Sequence, residues 1–184
     1  MKYFEIQDSP ELKHGPRIMR WFEKFDVRNI KMETFPKLPK RQIFFVESSE
    51  KNMYTDIVIF PFLLISPKVL EVIKMYKERC FYRDAVLLDQ GAGKAVRYYL
   101  PVFDETSMLQ VVEKNAKNGK NLFAKPQSDL TKVFPEKHIF WVRDSFKRHT
   151  IISLDMAESL LNREITGLGL KEIELFIQNQ AKEE

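Results

Sequence analysis

Residues 91–94, GAGK, bring together groups that a phosphate-binding loop uses: a glycine-rich backbone that can surround a phosphate with N–H groups, and a lysine that can reach its charge. The pattern departs from such a loop at both ends. Leu88 stands where the first glycine belongs and Ala95 where a serine or threonine would hold magnesium, so the stretch reads as a turn. Gly167 and Gly169 fail as a dinucleotide fingerprint in a similar way, because the third glycine position holds Glu172 and the segment follows a predicted helix instead of opening one. The three histidines, His14, His138 and His149, are suited to proton transfer or metal binding. No two of them have the i, i+4 spacing of a helical zinc site, and none adjoins a cysteine or carboxylate motif of ligand spacing, although His138 has Trp141 and Asp144 close by. Cys80 lies in ERCFY without a recognisable partner pattern, and no G-x-S-x-G serine elbow occurs. Acidic residues are abundant, but abundance identifies no catalytic pair. The residues therefore predict no catalytic group, no metal site and no cofactor.

What these residues do outline is an architecture organised around residues 60–79, FPFLLISPKVLEVIKMYKER, where an apolar strand runs into a helix. Ser66 can cap that helix with its hydroxyl, and Pro67 suits the first helical position, where its missing N–H would be unbonded anyway. Val69, Leu70, Val72, Ile73 and Tyr76 recur at helical spacing and predict one face laid against a sheet. Residues 81–88 and 94–100 then read as two strands around DQGAG, whose glycines permit the positive φ of a tight reversal, and so as an antiparallel hairpin. Val96, Tyr98 and Leu100 alternate with Arg97 and Tyr99, which predicts one buried and one wet face. Arg97, Tyr99 and, beyond them, Phe103 form the candidate partner-binding patch, since Tyr and Arg often anchor interfaces. The competing reading is that Tyr99 and Phe103 cover a second layer of core.

The rest of the chain supplies the surrounding elements. Residues 1–6 read as a strand, followed by turn chemistry from Asp8 to Pro16. Residues 17–25 place Ile18, Trp21, Phe22 and Phe25 on one face of a short helix, with Trp21 in the core. Pro36 and Pro39 fix an extended or turning connection into strands over 42–47 and 54–60. Residues 108–112 read as a strand, 113–121 as a lysine-rich loop with an Asn118-Gly119 turn, and 137–143 as another strand. Ile151 and Ile152 lead into Ser153, a second cap, and a helix over 154–164 with Met156, Ala157, Leu160 and Leu161 on one face, ended by Gly167. Ile173, Leu175 and Ile177 alternate with Glu172 and Glu174 in a terminal strand. LLISPKVLEVI and TIISLDMAESLL share the order strand, Ser, helix, a grammar too common to argue for duplication. The predicted fold is α+β, a mainly antiparallel sheet with two or more packed helices, in a single domain over 1–184.

A chain of 184 residues with fifteen Phe, six Tyr and two Trp can bury a substantial core. Its net charge of +4 comes from 30 basic against 26 acidic residues, a near balance whose only dense basic cluster is KLPKR at 37–41. That cluster reads as a solvated surface and argues against a nucleic-acid partner. One cysteine excludes an intramolecular disulfide and favours a reducing compartment. The opening MKYFEIQD lacks the apolar core of a signal peptide, and the longest apolar run, 57–65, is broken by Pro61 and falls short of the ~20 residues that cross a bilayer. These features predict a soluble, cytoplasmic protein without a membrane partner.

The strand entering FLLISPKVLEVI, the hairpin RDAVLLDQGAGKAVRYYLPVF and the late segment FWVRDSFKRHTIISLDMAESLLNREITGLGLKEIEL together resemble a family of bacterial immunity proteins associated with polymorphic toxins, many of whose members are known only as a domain of unknown function. The closing pattern of Ser153, helix, Ile165-Thr166-Gly167 and final strand is the most characteristic part. The likeness covers about residues 55–178, with 1–54 a less diagnostic N-terminal portion. It implies a cytoplasmic protein that binds and neutralises a cognate toxin domain by occlusion, which requires a rigid, desolvatable patch and no active site. The slight basicity departs from the strongly acidic surface that would steer such a protein onto a basic nuclease. An alternative reading of the residues is a small intracellular enzyme or a nucleic-acid-processing accessory protein whose site assembles only in the fold. A scaffold domain with an unrelated protein partner is a third.

Overall fold

A computed structural model of the chain describes residues 2–23, 26–107, 109–111, 121–126, 137–143 and 147–178. Helix α1, Pro67–Met75, starts where the sequence places it: Ser66 is extended (φ −69°, ψ 164°), its Oγ accepts the Val69 N–H at 3.3 Å, and Pro67 follows. Val69, Leu70, Val72 and Ile73 are buried along one side. Helix α2, Leu154–Leu161, begins in the same way at Ser153 (φ −72°, ψ 164°), whose Oγ accepts the Met156 N–H at 3.2 Å. The two helices pack on each other, and the Tyr76 hydroxyl at the end of α1 donates to the Asp155 carbonyl at 2.7 Å.

The strands form two sheets. One has five strands, in the order β2 (Arg41–Phe45), β5 (Cys80–Asp89), β6 (Lys94–Phe103), β4 (Leu64–Ile65) and β3 (Ile57–Val58). The other has seven: β7 (Glu105–Ser107), β10 (Ile139–Arg143), β11 (Arg148–Ser153), β1 (Tyr3–Asp8), β12 (Leu168–Gln178), β9 (Asn121–Pro126) and β8 (Leu109–Val111). Pairing is antiparallel except at β2/β5, β7/β10 and β9/β12, so the fold is α+β and mainly antiparallel. The chain crosses between sheets at Asp104, directly after β6. The main core joins Phe44, Leu87, Tyr98 and Leu100 of one sheet to Ile139, Trp141 and Ile152 of the other, with the buried faces of both helices. On the opposite face of the seven-stranded sheet, Tyr3, Phe140, Val142, Ile151 and Ile173 form a smaller cluster. Among the described residues no helix is long and apolar enough to cross a membrane.

Several local expectations are corrected. Residues 17–25 do not form an α-helix: the Met19 N–H bonds to the Phe45 carbonyl and the Glu47 N–H to the Arg17 carbonyl, so the segment pairs with the end of β2 at the Ile18–Val46 bridge. Arg20 (φ 44°) breaks any helical continuation, and only the 3-10 turn Trp21–Glu23 remains. Trp21 is half-buried against the core, Phe22 is 67% exposed, and Phe25 lies outside the described residues. The strand expected over 54–60 shrinks to β3. Helix α2 ends at Leu161, which is exposed, and Glu164 (φ 52°) takes the left-handed turn before Gly167 is reached. Gly167 (φ 77°) serves a different purpose, a close approach to Ile57 and Thr55. The Asn118-Gly119 turn lies outside the described residues.

Candidate protein-binding face

The hairpin fixes which side chains share a surface, because residues directly opposite across a ladder stand on the same face. Asp84 is opposite both Arg41 on β2 and Tyr99 on β6, and Val86 is opposite both Ile43 and Arg97. Two adjacent rows therefore cross three strands, Arg41–Asp84–Tyr99 and Ile43–Val86–Arg97. The other face of the same strands carries Phe44, Ala85, Leu87 and Tyr98, which are buried.

Within the outer rows one carboxylate holds two guanidinium groups. Arg97 Nη2 donates to Asp84 Oδ1 at 2.9 Å, and Arg41 Nη2 to Asp84 Oδ2 at 3.4 Å. The Arg97 hydrogen bond, and then its charge and that of Arg41, hold the Asp84 carboxyl below its ordinary range, while the same bond raises the Arg97 guanidinium. Arg97 also lies over the Tyr99 ring at 5.0 Å, Tyr99 meets Tyr82 edge-on at 5.2 Å, and Lys74 of α1 approaches the Tyr82 ring at 5.1 Å. The cluster is internally bonded and still accessible: the Arg97 side chain is 57% exposed, Tyr82 37% and Ile43 44%.

The expected patch residues separate on this geometry. Arg97 faces out. Tyr99 is half-buried, its ring between Arg97 and Tyr82 and its body against the core. Phe103 is 1% exposed and meets Trp141 edge-on at 5.4 Å, which corrects its assignment to the partner-facing side. The reason is that β6 runs three residues beyond the expected hairpin and carries Phe103 into the junction between the sheets. Sequence reasoning passed over Tyr82 and Asp84, whose alternation with the buried Ala85 and Leu87 was readable. It placed Arg41 in a solvated basic cluster and had no signal for its parallel pairing with β5.

The other candidate groups occupy settings with different chemistry. At the GAGK turn the Ala92 N–H donates to the Asp89 carboxylate at 2.9 Å, so this turn N–H serves an acid of the chain itself. Hydrogen bonds, foremost from the Ser48 hydroxyl and then the Ala92 backbone, hold that carboxyl below its ordinary range. His138 Nδ1 lies 2.8 Å from Ser153 Oγ, a pairing that would suit nucleophilic catalysis if it were accessible. Ser153 is fully buried and its oxygen already accepts the α2 cap bond, so the pair is closed to a substrate. His149 is fully buried with Nδ1 2.6 Å from Glu5 Oε1, and His14 is exposed. Burial pushes the Cys80 thiol up to about 12, leaving little thiolate near neutral pH. Among the described residues no group of three or more His, Cys, Asp or Glu side chains is placed to hold a metal ion. In comparison with known proteins, no protein-family model matches the chain and no curated protein is significantly similar to it.

Proposed function

We propose that the chain is an immunity protein of the polymorphic-toxin type, which binds a cognate toxin domain and neutralises it by occlusion through the outer face of β2, β5 and β6. The observation that supports this reading is the prearranged Arg41–Asp84–Arg97 cluster stacked on Tyr99 and Tyr82 on an accessible sheet surface. Two guanidiniums held by one carboxylate and one ring lose little freedom on binding, which lowers the entropic cost of association. Tyr and Arg in such settings are the side chains that most often dominate interface energies.

The toxin domain is sought beside the gene and by pull-down from the native host, and protection is then measured in cells. Arg97→Ala combined with Tyr99→Ala should abolish protection while circular dichroism shows a folded protein. Because Tyr99 also packs on the core, a second pair on more exposed side chains, Tyr82→Ala with Arg97→Glu, separates binding from folding. A loss of about 2 kcal/mol for a central anchor weakens affinity by roughly 30-fold. Folded variants of both pairs that protect as well as the parent would remove this face from the function. Loss of protection from a single substitution of His14, His138 or His149 in a folded protein would instead point to chemistry.

A further inference from the structure

A groove of about 450 Å³ opens between the two sheets. Its apolar walls are the partly exposed Ile59, Pro61 and Leu63 from the segment between β3 and β4, with Phe62 of the same segment, Pro101 of β6 and Trp141 of β10 buried behind them. Four cations also line it: Arg28 and Lys31 from the 3-10 turn Val27–Asn29 and its continuation, Arg143 from β10, and Arg148 from β11. Two carboxylates answer them. Asp26 pairs with Arg28 at 2.8 Å, and Glu105 is shared by Arg143, at 2.7 Å, and Arg148.

This charge distribution is unusual for a mere seam between sheets. Arg148 lies over the Trp141 ring at 4.1 Å, and among the described residues its buried Nη2 has no hydrogen-bond partner. A buried donor left unpaired carries a desolvation cost of about 1–3 kcal/mol, more for a charged group. Arg143 and Arg148 meet at one carboxylate, so the set carries one positive charge in excess beside an apolar wall. Desolvation, opposed by Glu105, holds the Arg148 guanidinium below its ordinary value. A negative charge entering the groove supplies what the set lacks, and the partly exposed Ile59, Pro61 and Leu63 offer a surface to a flat apolar body above the buried Trp141 and Phe62. The volume lies within the roughly 300–1,000 Å³ range of small-molecule pockets.

We infer that this groove binds a small organic anion, a flat apolar body bearing one carboxylate or phosphoryl group, with the acid near Arg148 and Lys31 and the body against Ile59, Pro61 and Leu63, next to the buried Trp141. The inference does not rest on the toxin-binding reading: Arg41, Tyr82, Asp84, Arg97 and Tyr99 do not line the groove, and Pro101, opposite Tyr82, is the point where the groove meets the hairpin face.

The test uses the full chain carrying Trp21→Phe, which leaves Trp141 as the only tryptophan. Its emission is followed against phenyl phosphate, benzoate, inorganic phosphate and benzyl alcohol, and thermal unfolding of the unmodified chain is measured with each. Phenyl phosphate or benzoate should change Trp141 emission saturably and raise the unfolding midpoint, the tighter of the two naming the preferred acid. Inorganic phosphate and benzyl alcohol, each with half of the chemistry, should bind at least about tenfold more weakly, a difference of about 1.4 kcal/mol. Lys31→Glu should weaken the aromatic anion by a similar factor without shifting the midpoint of the ligand-free protein. No saturable response to either aromatic anion would overturn the inference, as would benzyl alcohol or inorganic phosphate binding equally well, or Lys31→Glu leaving affinity unchanged.

Discussion

The Asp56 carboxylate accepts both the backbone N–H of Thr166, at 2.9 Å, and its hydroxyl, at 2.8 Å, and the Thr166 hydroxyl in turn accepts the Asp56 N–H at 3.0 Å. The two residues are 110 positions apart, and the Ser66 hydroxyl donates to the other Asp56 oxygen at 2.8 Å. One side chain thus ties the approach to β3, the cap of α1 and the turn after α2. Asp56→Ala should destabilise the protein by about 3 kcal/mol, since hydrogen bonds to charged groups contribute about 1.5–3 kcal/mol each and are partly replaced by water. Asp56→Asn, which keeps the shape without the charge, should lose about half as much. Urea denaturation checks both, and a loss below about 0.5 kcal/mol for Asp56→Ala would show that the tie is incidental to stability.

The same turn contains a position that only glycine fits. Gly167 has φ 77°, and a Cβ built there would stand 2.5 Å from the Ile57 carbonyl oxygen and 2.6 Å from Thr55 Oγ1. That oxygen also accepts the Thr55 hydroxyl at 2.8 Å, so neither neighbour can retreat without breaking a buried bond. Gly167→Ala combines left-handed strain with a backbone collision and should cost about 3 kcal/mol or more. A melting temperature within a degree or two of the parent would refute this reading of the turn.

How much of this was legible depends on how local each feature is. The Ser66 and Ser153 caps, α1 and the β5–β6 hairpin follow from neighbouring residues, because capping, helical spacing and a glycine turn act within a few positions. The Asp56–Thr166 tie, the Arg41–Asp84 pair and the groove are set by chain segments that meet only in the fold. Residues 17–25 show the conflict directly. Their apolar spacing suits a helix, but the hydrogen bonds offered by the end of β2 outcompete it, as tertiary pairing overrides a short and weak propensity. Phe103 was misplaced for a related reason: alternation predicts which face a residue takes, not whether a second sheet covers that face.

Stability should fall at both ends of the pH scale, through different groups. Burial alone would raise the Asp56 carboxyl, but hydrogen bonds from Thr166 and Ser66 and the charge of Lys68 outweigh it and hold the group below its ordinary 3.8. The unfolded chain then takes up the proton first, so the Asp56 contribution is complete above about pH 4 and is lost as pH falls through the folded value. Cys80 acts in the opposite sense. Burial raises its thiol from an ordinary 9.0 to about 12, so the unfolded chain ionises first and stability drops from pH 9 upward. Chemical denaturation across pH should show the acid slope reduced in Asp56→Asn and the alkaline slope reduced in Cys80→Ala. Slopes unchanged from the parent would assign the pH dependence to other groups.

The two helix caps offer a matched comparison, because Ser66 and Ser153 share backbone geometry and capping role but differ in what else their oxygens touch. Ser66→Ala removes the bond from Val69 and the donation to Asp56, in a setting where water can replace part of both. A loss of about 1–2 kcal/mol is expected, the upper range for a cap. Ser153→Ala removes the bond from Met156 and the contact with His138 Nδ1 in a fully buried site. Groups left unpaired there keep their full desolvation penalty, so the loss should reach about 2–3 kcal/mol. A double-mutant cycle sharpens the contrast: Ser66→Ala and Asp56→Ala share a hydrogen bond and should combine to less than the sum of their separate losses, whereas Ser66→Ala and Ser153→Ala should add within about 0.5 kcal/mol. Equal losses at the two serines would mean that the buried His138 contact contributes no more than the Asp56 bond does at Ser66, and full additivity of Ser66→Ala with Asp56→Ala would mean that their hydrogen bond is not part of what holds α1 to the turn after α2.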